Sequence, residues 1–232
     1  MGRADSEREL DNPFWASLAG RHAHLALGGA LARCYPADFS PLSGLSAAEP
    51  ENVAALASLV EAGGDVAFTG AFVPTLARGW ETLFASRLTQ MIRVDRAPLP
   101  EDGADAVILG AADVADMIEL VELTKPGPFR TRTIELGTYI GIRERGRLVA
   151  MAGERTWIGN CRELSAVCTH PDAQGRGYAR ALIARAVNRM LRAGETPFLH
   201  VESSNRRAIE LYLALGFVKR AEFPLLYAKR IG

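Results

Sequence analysis

The chain has 232 residues, 48% hydrophobic and 23% charged, and its 27 basic and 27 acidic residues cancel. That length suits one large domain or two small ones, and that composition a soluble globular protein and not a disordered chain. The charge balance leaves no basic excess to hold a nucleic acid or a membrane, and neither is expected as a partner.

The cysteines Cys34, Cys161 and Cys168 stand far apart with no CxxC pairing. This excludes a disulfide framework and a zinc site, and it fits a reducing cytoplasm with no metal in the protein. Apolar runs fall short of the ~20 residues that span a bilayer. The first ten residues also lack the apolar stretch of a secretory signal. The start, Met1-Gly2-Arg3-Ala4-Asp5-Ser6, matches a loose myristoylation pattern that nothing else supports.

Asn12-Pro13 signals a helix start leading into Phe14, Trp15 and Leu18. Gly28-Gly29 between short apolar runs suggests a hairpin. Val53, Leu56, Leu59 and Val60 keep helical spacing until Gly63-Gly64, and a strand restarts at Val66. Residues 80–94 read equally as paired strands or as a helix. The run Ala97-Pro98-Leu99-Pro100-Glu101-Asp102-Gly103 interrupts every periodicity. It divides the chain into an accessory α/β region at 1–96, a linker at 97–103 and a second domain at 104–232.

In the second domain Val114, Ile118 and Val121 open a helix that must break at Lys125-Pro126-Gly127-Pro128. Residues 139–143 and 148–151 form a hairpin turning at Arg145-Gly146, and residues 163–169 a strand. A helix then carries Leu182, Ala186 and Met190 at i, i+4, i+8, with Gly194 just past its end. Residues 198–201 make a strand, Ser204 or Asn205 caps a last helix, and a final pair of strands follows Gly216. A helix between two such strands is a βαβ unit, so at least two strands are parallel in a mixed α/β sheet.

Chemistry concentrates in Thr169-His170-Pro171-Asp172-Ala173-Gln174-Gly175-Arg176-Gly177-Tyr178-Ala179, between a strand and a helix N-terminus. Unpaired amides and the helix dipole there make an anion site, and glycines let a pyrophosphate approach the backbone. Downstream, Asn205 is followed seven residues later by Tyr212 and then by Gly216-Phe217. The loop form Gln-x-x-Gly-x-Ala or a close variant, the upstream Pro171 and the Asn–Tyr–Gly-Phe order resemble the GNAT superfamily of acyl-CoA N-acetyltransferases. The resemblance is strong over 138–217, rests on element order over 104–137 and is faint over 1–96. It leaves the accessory region open to being a degenerate second copy of the same fold.

The resemblance implies acetyl-CoA as co-substrate, lying in a wedge where the strand before the loop splays from the next. It assigns backbone contacts to Val167, Cys168 and Thr169. Pyrophosphate contacts fall to Gln174, Gly175, Arg176, Gly177, Tyr178 and Ala179, and Asn205 caps its helix while touching the pantetheine or phosphate arm. An ammonium has no lone pair, so a base must act before an amine can attack. Glu163, eleven residues before Gln174, and His200, five before Asn205, are the candidates, with a water chain alone as the alternative. Strict alternation would place Glu163, Ser165, Val167 and Thr169 on one face. Tyr212 is the candidate acid for the leaving thiolate, and Cys168 reads as an inert buried thiol. The expected reaction is acetyl transfer to a primary amine of a small molecule or peptide. A CoA-binding sensor without turnover, a longer acyl chain and an alcohol acceptor are the alternatives.

Overall fold

The computed structural model describes residues 8–103 and 105–232; the myristoylation-like start and Ala104 lie outside the described residues. Strands are β1 (Leu27–Gly28), β2 (Ala32–Cys34), β3 (Ser43–Leu45), β4 (Asp65–Thr69), β5 (Trp80–Ile92), β6 (Val107–Leu109), β7 (Tyr139–Glu144), β8 (Arg147–Ile158), β9 (Cys161–Thr169), β10 (Thr196–Glu202) and β11 (Val218–Arg230). The α-helices are α1 (Pro13–Ala19), α2 (Pro50–Ala57), α3 (Val114–Thr124), α4 (Tyr178–Arg192) and α5 (Arg206–Ala214).

One eight-stranded mixed sheet, ordered β4-β11-β5-β10-β9-β8-β7-β6, organises the molecule, beside a small sheet of β1, β2 and β3. Only β9 and β10 are parallel within the large sheet, as a connection through a helix requires. The hairpin of β7 and β8 turns through Arg145 at φ 50° and Gly146 at φ 86°, the left-handed pair that a tight hairpin of matching twist needs. Helix α4 buries Leu182, Ile183, Ala186, Val187 and Met190, the stripe its periodicity foretells, and Gly194 follows at φ 80°. On that face α4 and α5 build the largest core cluster with Ile142, Leu164, Leu199, Val201 and Phe217. The opposite face is covered by α3, which packs Met117, Leu120 and Val121 on Tyr139 and Met151, and by the N-terminal layer around α1.

Two expectations need correction. The linker at 97–103 does not separate independent units, because β5 lies inside the large sheet between β10 and β11, and β4 at its edge. The linker is itself pinned: buried Asn188 accepts from the Leu99 amide and donates to its carbonyl, both at 2.8 Å. Buried Arg93, just past β5, donates from Nε to the carbonyl of Leu215 at 3.1 Å and so ties the N-terminal third to the end of α5. The final pair of strands is one 13-residue strand, β11. Its proline is tolerated because pairing with β4 begins only at Leu225, so the missing N–H of Pro224 interrupts no ladder on that side. The region 80–94, ambiguous in sequence, is one long strand filling the slot beside β10. Among the described residues no helix is long and apolar enough to cross a membrane.

Candidate active site

The loop before α4 is held open by geometry. The His170 side chain accepts from the Asp172 amide at 3.1 Å and closes the turn at Pro171. Gly175 at φ 78° and Gly177 at φ 80° then lead into the helix, with Gly177 as its N-cap. Both positions are left-handed, which disfavours any side chain, and a Cβ at either would project into open space. The surface is therefore bare backbone at a helix N-terminus, whose first-turn amides have no intrahelical acceptor. Arg176 is already paired: its Nη1 donates to both Glu144 oxygens at 2.7 and 2.9 Å, and the Tyr178 hydroxyl donates to the same carboxylate at 2.5 Å. What the loop offers an anion without rearrangement is therefore its amides, with Arg176 held by Glu144 beside them.

The wedge follows from the ladder. Parallel pairing of β9 with β10 runs Cys161↔Thr196, Arg162↔Pro197, Glu163↔Phe198 and stops. Beyond that point β9 stays paired to β8 as far as Thr169, and β10 to β5 as far as Glu202. Each strand therefore turns one unpaired edge of N–H and C=O groups towards the other, a slot for an extended amide-bearing chain. A bulge marks the divergence: Gly153 pairs with Ser165 but Met151 with Cys168, and Ala166 takes φ 52°. Left-handed alanine costs about 1 kcal/mol, held in place here by the strands around it.

The bulge overturns the expected alternation. Leu164 and Val167 both pack towards α4, whereas Ala166 and Cys168 pack towards α3. Glu163 and Val167 therefore do not share a face. Cys168 is buried beneath α3, and burial pushes its thiol up to about 11, as an inert thiol would have it.

Glu163 and His200 are brought together, Oε1 to Nδ1 at 2.7 Å, on the face under the N-terminal layer. Glu163 also accepts from Arg155 Nε at 3.1 Å, Arg155 Nη2 at 2.6 Å and Thr156 Oγ1 at 2.7 Å. Four donors use the roughly four acceptor sites a carboxylate has. Burial alone would raise its pKa, but the Arg155 charge and the His200 hydrogen bond outweigh burial and hold the carboxyl well below the usual range. His200 is saturated too. Gln90 accepts from Arg220 at 2.8 Å through its oxygen, so its nitrogen donates to Leu10 O at 2.9 Å and faces His200 Nε2 at 3.0 Å. That leaves Nε2 as acceptor and Nδ1 as the donor to Glu163. The imidazole is walled by the rings of Phe14 and Phe198, at 6.3 and 5.7 Å. Neither candidate base faces open space.

Tyr212 packs in the α4-side cluster with Val167 and Val201, edge-on to Phe217 at 5.8 Å. Burial pushes its phenol up to about 12, so it stays protonated at neutral pH. Asn205 caps α5, accepting from the Ala208 amide at 3.1 Å. Arg155, Thr156 and Gln90 escaped sequence reasoning. Arg155 and Thr156 reach Glu163 through a second bulge, between Glu154 and Trp157, and Gln90 comes from the strand whose type was undecided. No local pattern announces either arrangement.

Comparison with known proteins agrees with this geometry. Residues 139–224 match the family model described as FR47-like protein. A GNAT-family protein of known structure from Novosphingobium aromaticivorans DSM 12444 is 34% identical, with TM-score 0.84, over 95% of this chain and 98% of that one. The N-terminal third is thus common to both. A GCN5-related N-acetyltransferase from Kribbella flavida has the same fold at 16% identity, with TM-score 0.63 over 100% of this chain and 97% of its own. Over 64 residues the chain is 34% identical to the L-amino acid N-acyltransferase MnaT of Escherichia coli K12, a match spanning 27% of this chain and 37% of that protein. A splayed parallel pair opening on a glycine-marked helix N-terminus, together with a relative alike along nearly its whole length, places the chain in the GNAT family of acyl-CoA-dependent N-acyltransferases.

Proposed function

We propose that this protein moves an acetyl group from acetyl-CoA directly to a primary amine of a small molecule or peptide, in the cytoplasm. The observation that carries the reading is the unpaired slot between β9 and β10, which leads to the bare amides before α4. The pantetheine amides bridge the slot as a short strand would, against the backbone of Val167, Cys168 and Thr169. The pyrophosphate rests on residues 174–179, and Asn205 meets the arm from the far side. Tyr212 hydrogen-bonds the sulfur as it leaves. Glu163 and His200, locked in the buried network, brace the splay of the strands and do not meet the amine.

The saturation of Glu163 and His200 also favours a second reading, a CoA-binding sensor without turnover. One experiment separates the two. Acetyl-CoA is titrated by calorimetry, and CoA thiol release is followed with a panel of primary amines. Binding with amine-dependent release supports the enzyme; binding with no release from any amine supports the sensor; no binding removes both.

A further inference from the structure

With Glu163 and His200 both closed, another group can meet the amine. Strand β10 offers one. Glu202 lies four residues beyond the last ladder pair with β9, Phe198↔Glu163, at the open end of the wedge. It shares a face with His200, and its register partner is Leu88 on β5. Unlike Glu163 it is half-buried and accepts one hydrogen bond, from Ser86 Oγ at 3.0 Å. Among the described residues no cation pairs with it. A carboxylate with spare acceptor sites and solvent access is suited to hold an ammonium.

The surface beside it is mainly apolar and ends at the Tyr227 hydroxyl, which donates to Asp65. Alternation along β5 puts Phe84 and Ser86 on the face of Leu88, and the register sets Leu225 and Tyr227 opposite them on β11. Phe84 is 48% exposed and stacks on Tyr227 at 5.2 Å, their planes 12° apart. One carboxylate at the wedge end of an aromatic strip complements a molecule with a cationic head and an apolar body.

We propose that Glu202, steadied by Ser86, holds the ammonium of the acceptor, and that the acceptor is a primary amine with an aromatic or apolar body lying along Phe84 and Tyr227. This rests on the acetyltransferase reading above. The ammonium gives one proton through Glu202 to solvent. Its nitrogen then forms the C–N bond as the C–S bond breaks; its second proton passes to solvent, and the departing sulfur, hydrogen-bonded by Tyr212, takes a proton from solvent. The products are the amide, the CoA thiol and one proton.

The test uses phenethylamine as probe, titrated by calorimetry into CoA-saturated protein so that no turnover is needed. Wild type should bind it, and Glu202→Gln should weaken binding roughly 10- to 100-fold, the range for losing a charge-assisted hydrogen bond. Glu202→Asp should recover part of the affinity, and phenethyl alcohol should not distinguish wild type from E202Q. The melting temperature should hold, because Glu202 is half-buried and its one partner, the Ser86 hydroxyl, can donate to a glutamine oxygen as well. Equal affinity of E202Q and wild type, or no binding to wild type, overturns the proposal. Failure of the acetyltransferase reading shows separately, as absence of thiol release from acetyl-CoA with every amine.

Discussion

Strands β9 and β10 behave as different structures at their two ends. Over residues 161–163 they share a ladder, and the carboxylate there, Glu163, is fully buried with four donors. Past that point they share no ladder, and the carboxylate there, Glu202, is half-buried with one neutral donor. The first end is saturated and rigid; the second has unmade hydrogen bonds and can hold a ligand. The Arg155–Glu163–His200 cluster, clamped from outside by α1, stands at the point of divergence.

The largest effect expected on the open end is Gly177→Asp. It forces a side chain into φ 80° and sets a negative charge where the proposal rests the pyrophosphate. Acetyl-CoA binding by calorimetry should vanish, and unchanged affinity would detach this loop from the site.

On the closed end Glu163→Gln should act through stability. It strips the counter-charge from Arg155, whose side chain is 11% exposed, and such a loss costs about 3–5 kcal/mol. Denaturant unfolding should report it while the folded fraction keeps its acetyl-CoA affinity. The depressed carboxyl pKa also sets a pH sign: its stabilisation is complete above the ordinary carboxylate range and declines as pH falls below that range. If E163Q instead unfolds like wild type and loses kcat by ~10²–10⁴, Glu163 is the base and the contrast between the two ends collapses.

Sequence legibility follows the same division. The loop, α4 and the Asn205 cap are local devices, written in consecutive residues as glycine at left-handed positions, helical spacing and capping chemistry. Their reading and the structure agree. The Ala166 bulge was not legible, because alanine gives no sign of φ 52° and the extra residue exists only relative to β8. Nor was the role of β5: a strand inserted between β10 and β11 is a long-range pairing, and its own residues 80–92 alternate too weakly to declare it. With the N-terminal layer lying over Glu163 and His200, the proposal above reads the two candidate bases as a buried strut, a role their spacing alone does not announce.

The N-terminal layer carries a smaller, pH-dependent component in His22. Its Nδ1 lies 2.8 Å from the Tyr35 hydroxyl, and the residue is 3% exposed. Burial, then the Arg162 and His24 charges, lowers its pKa from 6.5 to about 4. The folded state thus resists a proton that the unfolded chain accepts. Stability is full above pH 6.5 and falls as pH drops towards 4, by roughly 3 kcal/mol in all. His22→Gln should flatten that slope in a series of unfolding curves from pH 7 to 4. A slope the substitution leaves intact would assign the effect to other groups.

The smallest expected effect tests whether chemistry occurs at the open end at all. Tyr212 stands beside Val167 and Val201, and its phenol is pushed up to about 12. A CoA thiol has a pKa of about 8.5, so full proton transfer from Tyr212 to a free thiolate would run uphill. What the phenol can supply is a hydrogen bond that strengthens as negative charge gathers on sulfur, in a site where burial has removed competing water. Tyr212→Phe keeps the ring against Phe217, so the melting temperature should hold within a degree or two while kcat falls about tenfold, with acetyl-CoA affinity unchanged. The loss should shrink with an acetyl thioester of a more acidic thiol, which leaves without help. A loss of equal size for both thioesters would place the hydroxyl outside the sulfur's reach. A drop in melting temperature with kcat intact would make Tyr212 a packing residue, and the thiolate would then take its proton from solvent.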